Sequence, residues 1–185
     1  MKKSAVILSG GKNSRMNYNT KAFLKFSKER FIDLELKAIE MFDEIIISCN
    51  DEKSYKDLGY KLVKDEIRDI GPLGGIYSSL KECKYDEALV IASDMPFIDR
   101  NFIEKLYKYE VSKDALILRI NSKIEPLCSI YKKKCIDKIL KMIDKKDYKI
   151  KNLINNLNIE YLDLDDENKI RNINTVKEYE SLIRK

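Results

Sequence analysis

At 185 residues and 21.7 kDa the chain has the size of one domain, and 44% hydrophobic with 36% charged residues gives a core under a densely ionic surface. Its 36 Lys+Arg against 31 Asp+Glu leave a mild, interspersed +5, which suits an anionic small ligand better than a nucleic acid. With no histidine, Ser-His-Asp, Cys-His and His-metal chemistries are excluded, and acid–base work near neutral pH would fall to Asp, Glu, Lys, Cys or Tyr.

The chain opens on a short apolar run, residues 4–8, read as a buried strand. Ser9-Gly10-Gly11 stops that run too soon for a leader peptide, and no segment reaches membrane-spanning length, so a cytoplasmic protein without membrane contact is expected. Residues 9–20 form a polar connection of about twice the usual strand-to-helix length. Residues 22–26 read as a short strand or helix. Phe31, Leu34, Ala38, Met41 and Phe42 mark an amphipathic helix. Residues 45–47 read as the second strand, 51–58 as a weak helix ended by Gly59, and 60–63 as the third strand. Leu73, Ile76, Tyr77 and Leu80 make 72–83 a helix with proline in its first turn. Residues 88–92 form a buried strand, followed by Ser93-Asp94-Met95-Pro96 and a helix over 99–109. Strands at 115–120 and 126–131 precede a helix over 135–143, whose approach, Lys132-Lys133-Lys134, reads as a solvated helix start. A short helix over 150–157 and a strand over 159–164 come next. Thr175-x-x-Glu178 then opens a terminal helix carrying Val176, Tyr179, Leu182 and Ile183.

Alternating strands and helices predict a three-layer α/β/α sandwich, a Rossmann-like fold with a mostly parallel sheet and ligands bound at the carboxyl ends of its strands. The four cysteines, Cys49, Cys83, Cys128 and Cys135, form no C-x-x-C pair. A zinc site or redox couple is therefore not expected, and the first three read as small buried hydrophobes. The glycines are more informative. Five of the six stand in two clusters, Gly10-Gly11 and Gly71 with Gly74-Gly75, next to apolar elements. A glycine pair after a strand turns backbone N–H groups toward an anion, and Arg15 and Lys21 can add a forked and a point cation. The spacing is neither a Walker A loop nor a dinucleotide fingerprint. Gly74 and Gly75 in the first turns of a helix cost about 1 kcal/mol each against alanine, so something requires close approach there. A nucleotide base or ribose is one candidate and helix–sheet packing another. Asp94, just past a buried strand and held by the nearby Pro96, suits Mg²⁺, or alternatively caps the next turn. Asn172 and Asn174 share one side if their segment is extended, or else serve the loop and the following cap. Together these residues describe a site for a nucleoside triphosphate with a metal.

The order LSGGKNSRM with Lys21, then Asp65 and GPLGGI, DMPF, EPL with a following Tyr, and NINT resembles the molybdenum cofactor guanylyltransferase family across essentially the whole chain. The resemblance implies a nucleotide-diphospho-sugar transferase type of fold, with residues 1–185 as a single nucleotidyltransferase domain. It implies transfer of GMP from GTP to the phosphate of molybdenum-molybdopterin, yielding the guanine dinucleotide cofactor and pyrophosphate with Mg²⁺. By position, Leu8, Ser9, Gly10 and Gly11 resemble the loop that holds the nucleotide, and Lys21 the lysine at the phosphates; Arg15, Lys21 and Asp94 are the expected catalytic residues. Asn50 and Asp65 match positions lining the base and ribose, and Gly71, Pro72 and Leu73 match the pocket wall. Asp94 matches the magnesium ligand, and Asn172 and Asn174 match asparagines on the acceptor side. Transient contact with other molybdenum-cofactor proteins is implied as well. Ser9, Asn17 and Thr20 stand where the family usually has Ala, Gly and Asp. The alternatives are a cytidylyl- or sugar-phosphate nucleotidyltransferase and a catalytically silent nucleotide-binding regulator.

Overall fold

Alternate residues of each central strand enter two separate cores, because successive side chains of a strand point to opposite faces. In the computed structural model, which describes residues 1–10 and 21–184, the first strand β1 (Ser4–Leu8) sends Ala5 and Ile7 into one core and Val6 and Leu8 into the other. The same split runs along β4 (Glu44–Ser48), β6 (Glu87–Ala92) and β7 (Ala115–Ile120). Burial on both faces explains why these strands read as continuous apolar runs.

Helices α1 (Phe31–Ile39) and α4 (Arg100–Lys108) cover the first face through residues such as Ile32, Leu36, Phe102 and Leu106. The second face is covered by α3 (Pro72–Glu82), α5 (Cys135–Asp144) and α6 (Ile150–Asn156), through Leu73, Ile76, Ile139 and Leu153 among others. The sheet adds β5 (Lys61–Val63), β8 (Lys123–Lys132) and β9 (Ile159–Asp163), in the order β5-β4-β1-β6-β8-β7-β9. Every pairing is parallel except those of β8, which runs antiparallel to β6 and β7. This is the expected three-layer α/β/α sandwich. No described helix is long and apolar enough to cross a membrane.

Several boundaries differ from the sequence reading for identifiable reasons. Strand β8 begins three residues before Pro126, whose ring removes a ladder donor. The pairing shifts register opposite that point, between Leu116 and Leu118. There the Ser129 hydroxyl fills in, accepting from the Leu118 N–H (3.2 Å) and donating to the Glu125 carbonyl (2.7 Å). Residues 22–26 divide between a 3-10 turn, Lys21–Phe23, and a strand, β2 (Lys25–Phe26), which pairs with β3 (Glu29–Arg30). The hairpin turns at Ser27 and Lys28, both at positive φ (54° and 94°), without the Gly or Asn that normally announces such a turn. The weak helix is a four-residue α2 (Glu52–Tyr55) continued by a 3-10 turn to Leu58, and Gly59 ends it at φ 77°.

Of the expected solvated run, Lys134 stays exposed while Lys132 and Lys133 are partly buried, and all three are paired. Their ammonium groups reach Glu87, the Cys83 carbonyl (2.6 Å) and Asp114 (2.7 Å). All four cysteines are free and buried, Cys135 included. The terminal helix α7 (Val176–Ile183) starts on its capping box as expected. It joins a third cluster of Phe31, Ile173 and Leu182 under Leu24, Phe26, Phe97 and Tyr179, and the Tyr179 hydroxyl donates to the Lys25 carbonyl (2.9 Å).

Candidate active site

Four neighbouring strands end in a row. Hydrogen bonds past their ends lock the tips together: Ser9 N–H to the Ser48 carbonyl (2.8 Å), Cys49 N–H to the Val63 carbonyl (2.9 Å), and Ser93 N–H to the Leu8 carbonyl (3.1 Å). The Ser9 hydroxyl adds side-chain bonds to Ser93 (2.9 Å) and to the Tyr55 phenol. Burial pushes that phenol up to about 12, so Tyr55 stays neutral and serves as part of the floor.

At the tips of β4 and β5, the Asn50 amide donates to Asp65 Oδ2 (2.9 Å) and the Asp65 N–H returns a bond to Asn50 Oδ1 (3.3 Å). Gly10 lies beside the pair, where a β-carbon would be 3.6 Å from both side chains. Asp65 Oδ1 and the Ser48 hydroxyl are buried with no hydrogen-bond partner among the described residues. Hence Asn50 and Asp65, expected around the base and ribose, are together, with Asp65 Oδ1 turned inward beside Gly75.

At the tip of β6, the Lys21 ammonium donates to Asp94 Oδ2 (2.8 Å) and to Asn174 Oδ1 (2.9 Å). Lys21 and Asp94 are 19% and 16% exposed, so the pair faces the cleft and is only partly screened. The segment carrying both asparagines is held by the Ile173 N–H, which donates to the Asp94 carbonyl (2.9 Å). Ile173 is buried in the third cluster while Asn174 is exposed, so the chain between β9 and α7 delivers the asparagine to Lys21. The Asn174 N–H also donates to Glu178 (2.7 Å), so it serves the cap as well as the lysine.

The 71–75 segment divides its roles. Gly71, at φ 66°, turns the chain into α3 with Pro72 as its first residue, and both are exposed. The Leu73 and Leu8 side chains are in the core, which leaves their backbones for any ligand. The close approach that needs Gly74 and Gly75 is made by protein atoms. A β-carbon on Gly74 would lie 2.7 Å from the Ile67 carbonyl oxygen, and one on Gly75 would lie 3.0 Å from both Leu8 and the Ser48 hydroxyl. Packing, rather than a base or ribose, therefore accounts for this glycine pair. Gly11 and Arg15, with Asn17 and Thr20, lie outside the described residues.

Two acids near Asp94 received no role from sequence. Burial pushes the Glu125 carboxyl up, with the Asp94 charge adding to the shift; the Leu127 N–H and the Asn172 amide work against it. Glu35 is fully buried, and burial, with help from Asp94, pushes its carboxyl well above the usual range. The signal for Glu35 was available: an acid flanked on its helix by Phe31, Ile32, Leu36, Ala38 and Ile39 sits on the buried face.

A cation at this tip would meet the Asp94 carboxylate, whose Oδ2 also accepts from the Lys21 ammonium. Among the described residues no group of three or more His, Cys, Asp or Glu could hold a metal. The donor set thus fits a hard ion that takes its remaining ligands from phosphate and water, the habit of Mg²⁺.

Known proteins resemble this chain in sequence and fold. A family model for the MobA-like NTP transferase domain matches residues 5–161. The probable molybdenum cofactor guanylyltransferase of Clostridium perfringens strain 13 is 41% identical over 100% of this chain and 98% of its own length. The probable enzyme of the same name from Geobacillus sp. WCH70 is 30% identical, over 98% of each chain. The crystal structure of molybdopterin-guanine dinucleotide biosynthesis protein A from Archaeoglobus fulgidus superposes with a TM-score of 0.82 at 25% identity, over 98% of this chain and 97% of that one. With the family model spanning the sheet from β1 to β9, this chain belongs to the MobA-like NTP transferase family of nucleotidyltransferases.

Proposed function

We propose that this chain transfers GMP from GTP to the phosphate of molybdenum-molybdopterin, forming the guanine dinucleotide cofactor and pyrophosphate. The observation that carries the reading is the pairing of Lys21 with Asp94 and Asn174 at one strand tip, in the same row as the Asn50–Asp65 pair. That row offers separate places for triphosphate and base. Full-length likeness to proteins named for this reaction supports the choice of GTP and of a molybdopterin-type acceptor. The reading takes residues 1–185 as one domain, working in the cytoplasm with Mg²⁺.

The chemistry does not need histidine. The second pKa of a phosphate monoester is about 6, so at pH 7 the acceptor is already a nucleophilic anion. What the site must supply is positioning and relief of charge repulsion. Asp94 would hold Mg²⁺, which when bound would neutralise phosphate charge and polarise the reacting phosphoryl oxygen. Lys21 would hold phosphate oxygens and meet the charge developing on pyrophosphate, while Asn174 keeps its ammonium aimed. Asp65, oriented by the Asn50 amide on its Oδ2, would accept from the donor edge of guanine through that oxygen. Asn172 would face the acceptor. Arg15 and the Gly10-Gly11 amides would complete the phosphate cradle.

The test is pyrophosphate release by the purified protein given molybdenum-molybdopterin, Mg²⁺ and, in parallel, GTP, CTP, ATP or UTP. Release with GTP at least tenfold faster than with the others is expected. Equal or faster release with CTP would favour a cytidylyltransferase. Tight GTP binding without turnover would mark a silent nucleotide-binding regulator.

A further inference from the structure

The Asp94–Met95 peptide is gripped on both edges. Its carbonyl accepts from the Ile173 N–H (2.9 Å), and its N–H donates to Glu35 Oε1 (3.1 Å). One residue earlier, the Ser93 N–H is tied to β1, and one residue later Pro96 has no N–H to give. The 94–95 peptide plane is therefore where the backbone next to Asp94 is set, because that plane includes the Asp94 Cα, the root from which its side chain departs. Glu35 approaches from below. It sits on the buried face of α1 with no exposure, and its second oxygen, Oε2, has no hydrogen-bond partner among the described residues. A fully buried carboxyl with one oxygen unused costs folding free energy that an apolar side chain would not. Its hydrogen bond to Met95, also fully buried, offsets part of that cost, since that N–H would otherwise be left unpaired.

We propose that Glu35 is a positioning residue for nucleotidyl transfer: it clamps the Met95 N–H and so holds the Asp94 carboxylate aimed at Lys21. Glu35 touches no substrate in this account and needs no charge; a neutral acceptor oxygen at the same reach suffices. The inference rests on the transfer reading for its kinetic arm only.

The test compares Glu35→Gln, which keeps the acceptor, with Glu35→Met, which keeps the shape and loses it. Three quantities are read: kcat and KM for GTP, hydrogen exchange of the Met95 amide by NMR, and the urea midpoint. Glu35→Met should lower kcat at least tenfold with KM for GTP within twofold, and should speed exchange of the Met95 amide at least tenfold. Glu35→Gln should stay within twofold of the parent in all three kinetic and exchange values. Normal kcat in Glu35→Met overturns the proposal. So does equal damage in both variants, or a loss in which KM, midpoint and amides far from Met95 all move together, which marks a purely structural role. If Glu35→Met does not fold, Glu35→Asp, shorter by one methylene, takes its place. It should show a lowered kcat with a faster Met95 amide, and a normal kcat there overturns the proposal. A parent protein without turnover sinks the transfer reading and leaves the Met95 amide to judge Glu35.

Discussion

Lys21 has a double attachment that suggests how it works. A lysine free in solution samples many rotamers, and holding it costs up to about 2 kcal/mol of side-chain entropy. Here Asp94 and Asn174 have already fixed the ammonium before any nucleotide arrives, at 2.8 and 2.9 Å. Such preorganisation lowers the barrier more than it tightens ground-state binding, because the charge it meets grows only as pyrophosphate departs. Lys21→Ala is therefore expected to lower kcat by about 10²–10³ while changing the dissociation constant for GTP by less than about tenfold. Steady-state kinetics beside calorimetric titration of GTP checks this. A loss confined to binding, with kcat unchanged, contradicts a transition-state role. At this scale the sequence showed the acids and cations that follow strands, because residue type and chain position both mark them. It did not show what Glu35 does, which depends on what faces α1 across the first core, nor Glu125, whose carboxyl is pushed up by burial first and then by the charge of Asp94, 31 positions earlier in the sequence.

Helix α3 shows how an element can be legible while its reason is not. Proline at its start and the spacing of Leu73, Ile76, Tyr77 and Leu80 located it within a residue. Gly74 and Gly75 signalled close contact, but a sequence cannot say whose atoms make it, and here they belong to the 64–71 connection and to the sheet. Gly74→Ala would gain about 1 kcal/mol in helix propensity. It would also drive a β-carbon to 2.7 Å from the Ile67 carbonyl oxygen, a backbone atom that cannot step aside without moving the loop. Overpacking of that kind costs about 1–3 kcal/mol, so net destabilisation is expected, seen as a lower urea midpoint at unchanged m-value. A raised midpoint would mean that the loop yields freely. The same limit hid the β2–β3 hairpin, whose turn uses Ser27 and Lys28 at positive φ, and the first residues of β8, where the Ser129 hydroxyl accepts the Leu118 N–H across the register shift.

Across the whole molecule, the sheet separates reaction from anchoring. Lys21, Asp94, Asn50 and Asp65 gather at the carboxyl ends of the strands, whereas Asp114 immediately precedes β7 at the opposite end. Asp114 is 8% exposed and ties three elements: its carboxylate accepts from Lys138 (2.9 Å) and the Asn158 N–H (2.9 Å) and pairs with Lys134 (2.7 Å), while its carbonyl accepts from the Lys132 N–H (3.0 Å). Burial alone would push the carboxyl up. The hydrogen bonds from Lys134, Lys138 and the Asn158 N–H outweigh that and hold it well below the usual carboxylate range. A carboxyl depressed in the folded state contributes stability that is present above its unfolded pKa, about 3.9, and is lost as pH falls toward the folded value. Asp114→Asn keeps the shape and an acceptor oxygen but removes the charge. Because both lysine partners are half-exposed and screened, the expected cost at pH 7 is about 1–2 kcal/mol, with KM for GTP unchanged since the site lies a full strand length away. Urea unfolding of parent and variant at pH 7, 5 and 3 should show that gap at the first two values and a smaller one at pH 3, where the unfolded parent binds a proton that the folded parent refuses. A gap of equal size at pH 3 would assign the loss to packing around Asp114 rather than to its charge.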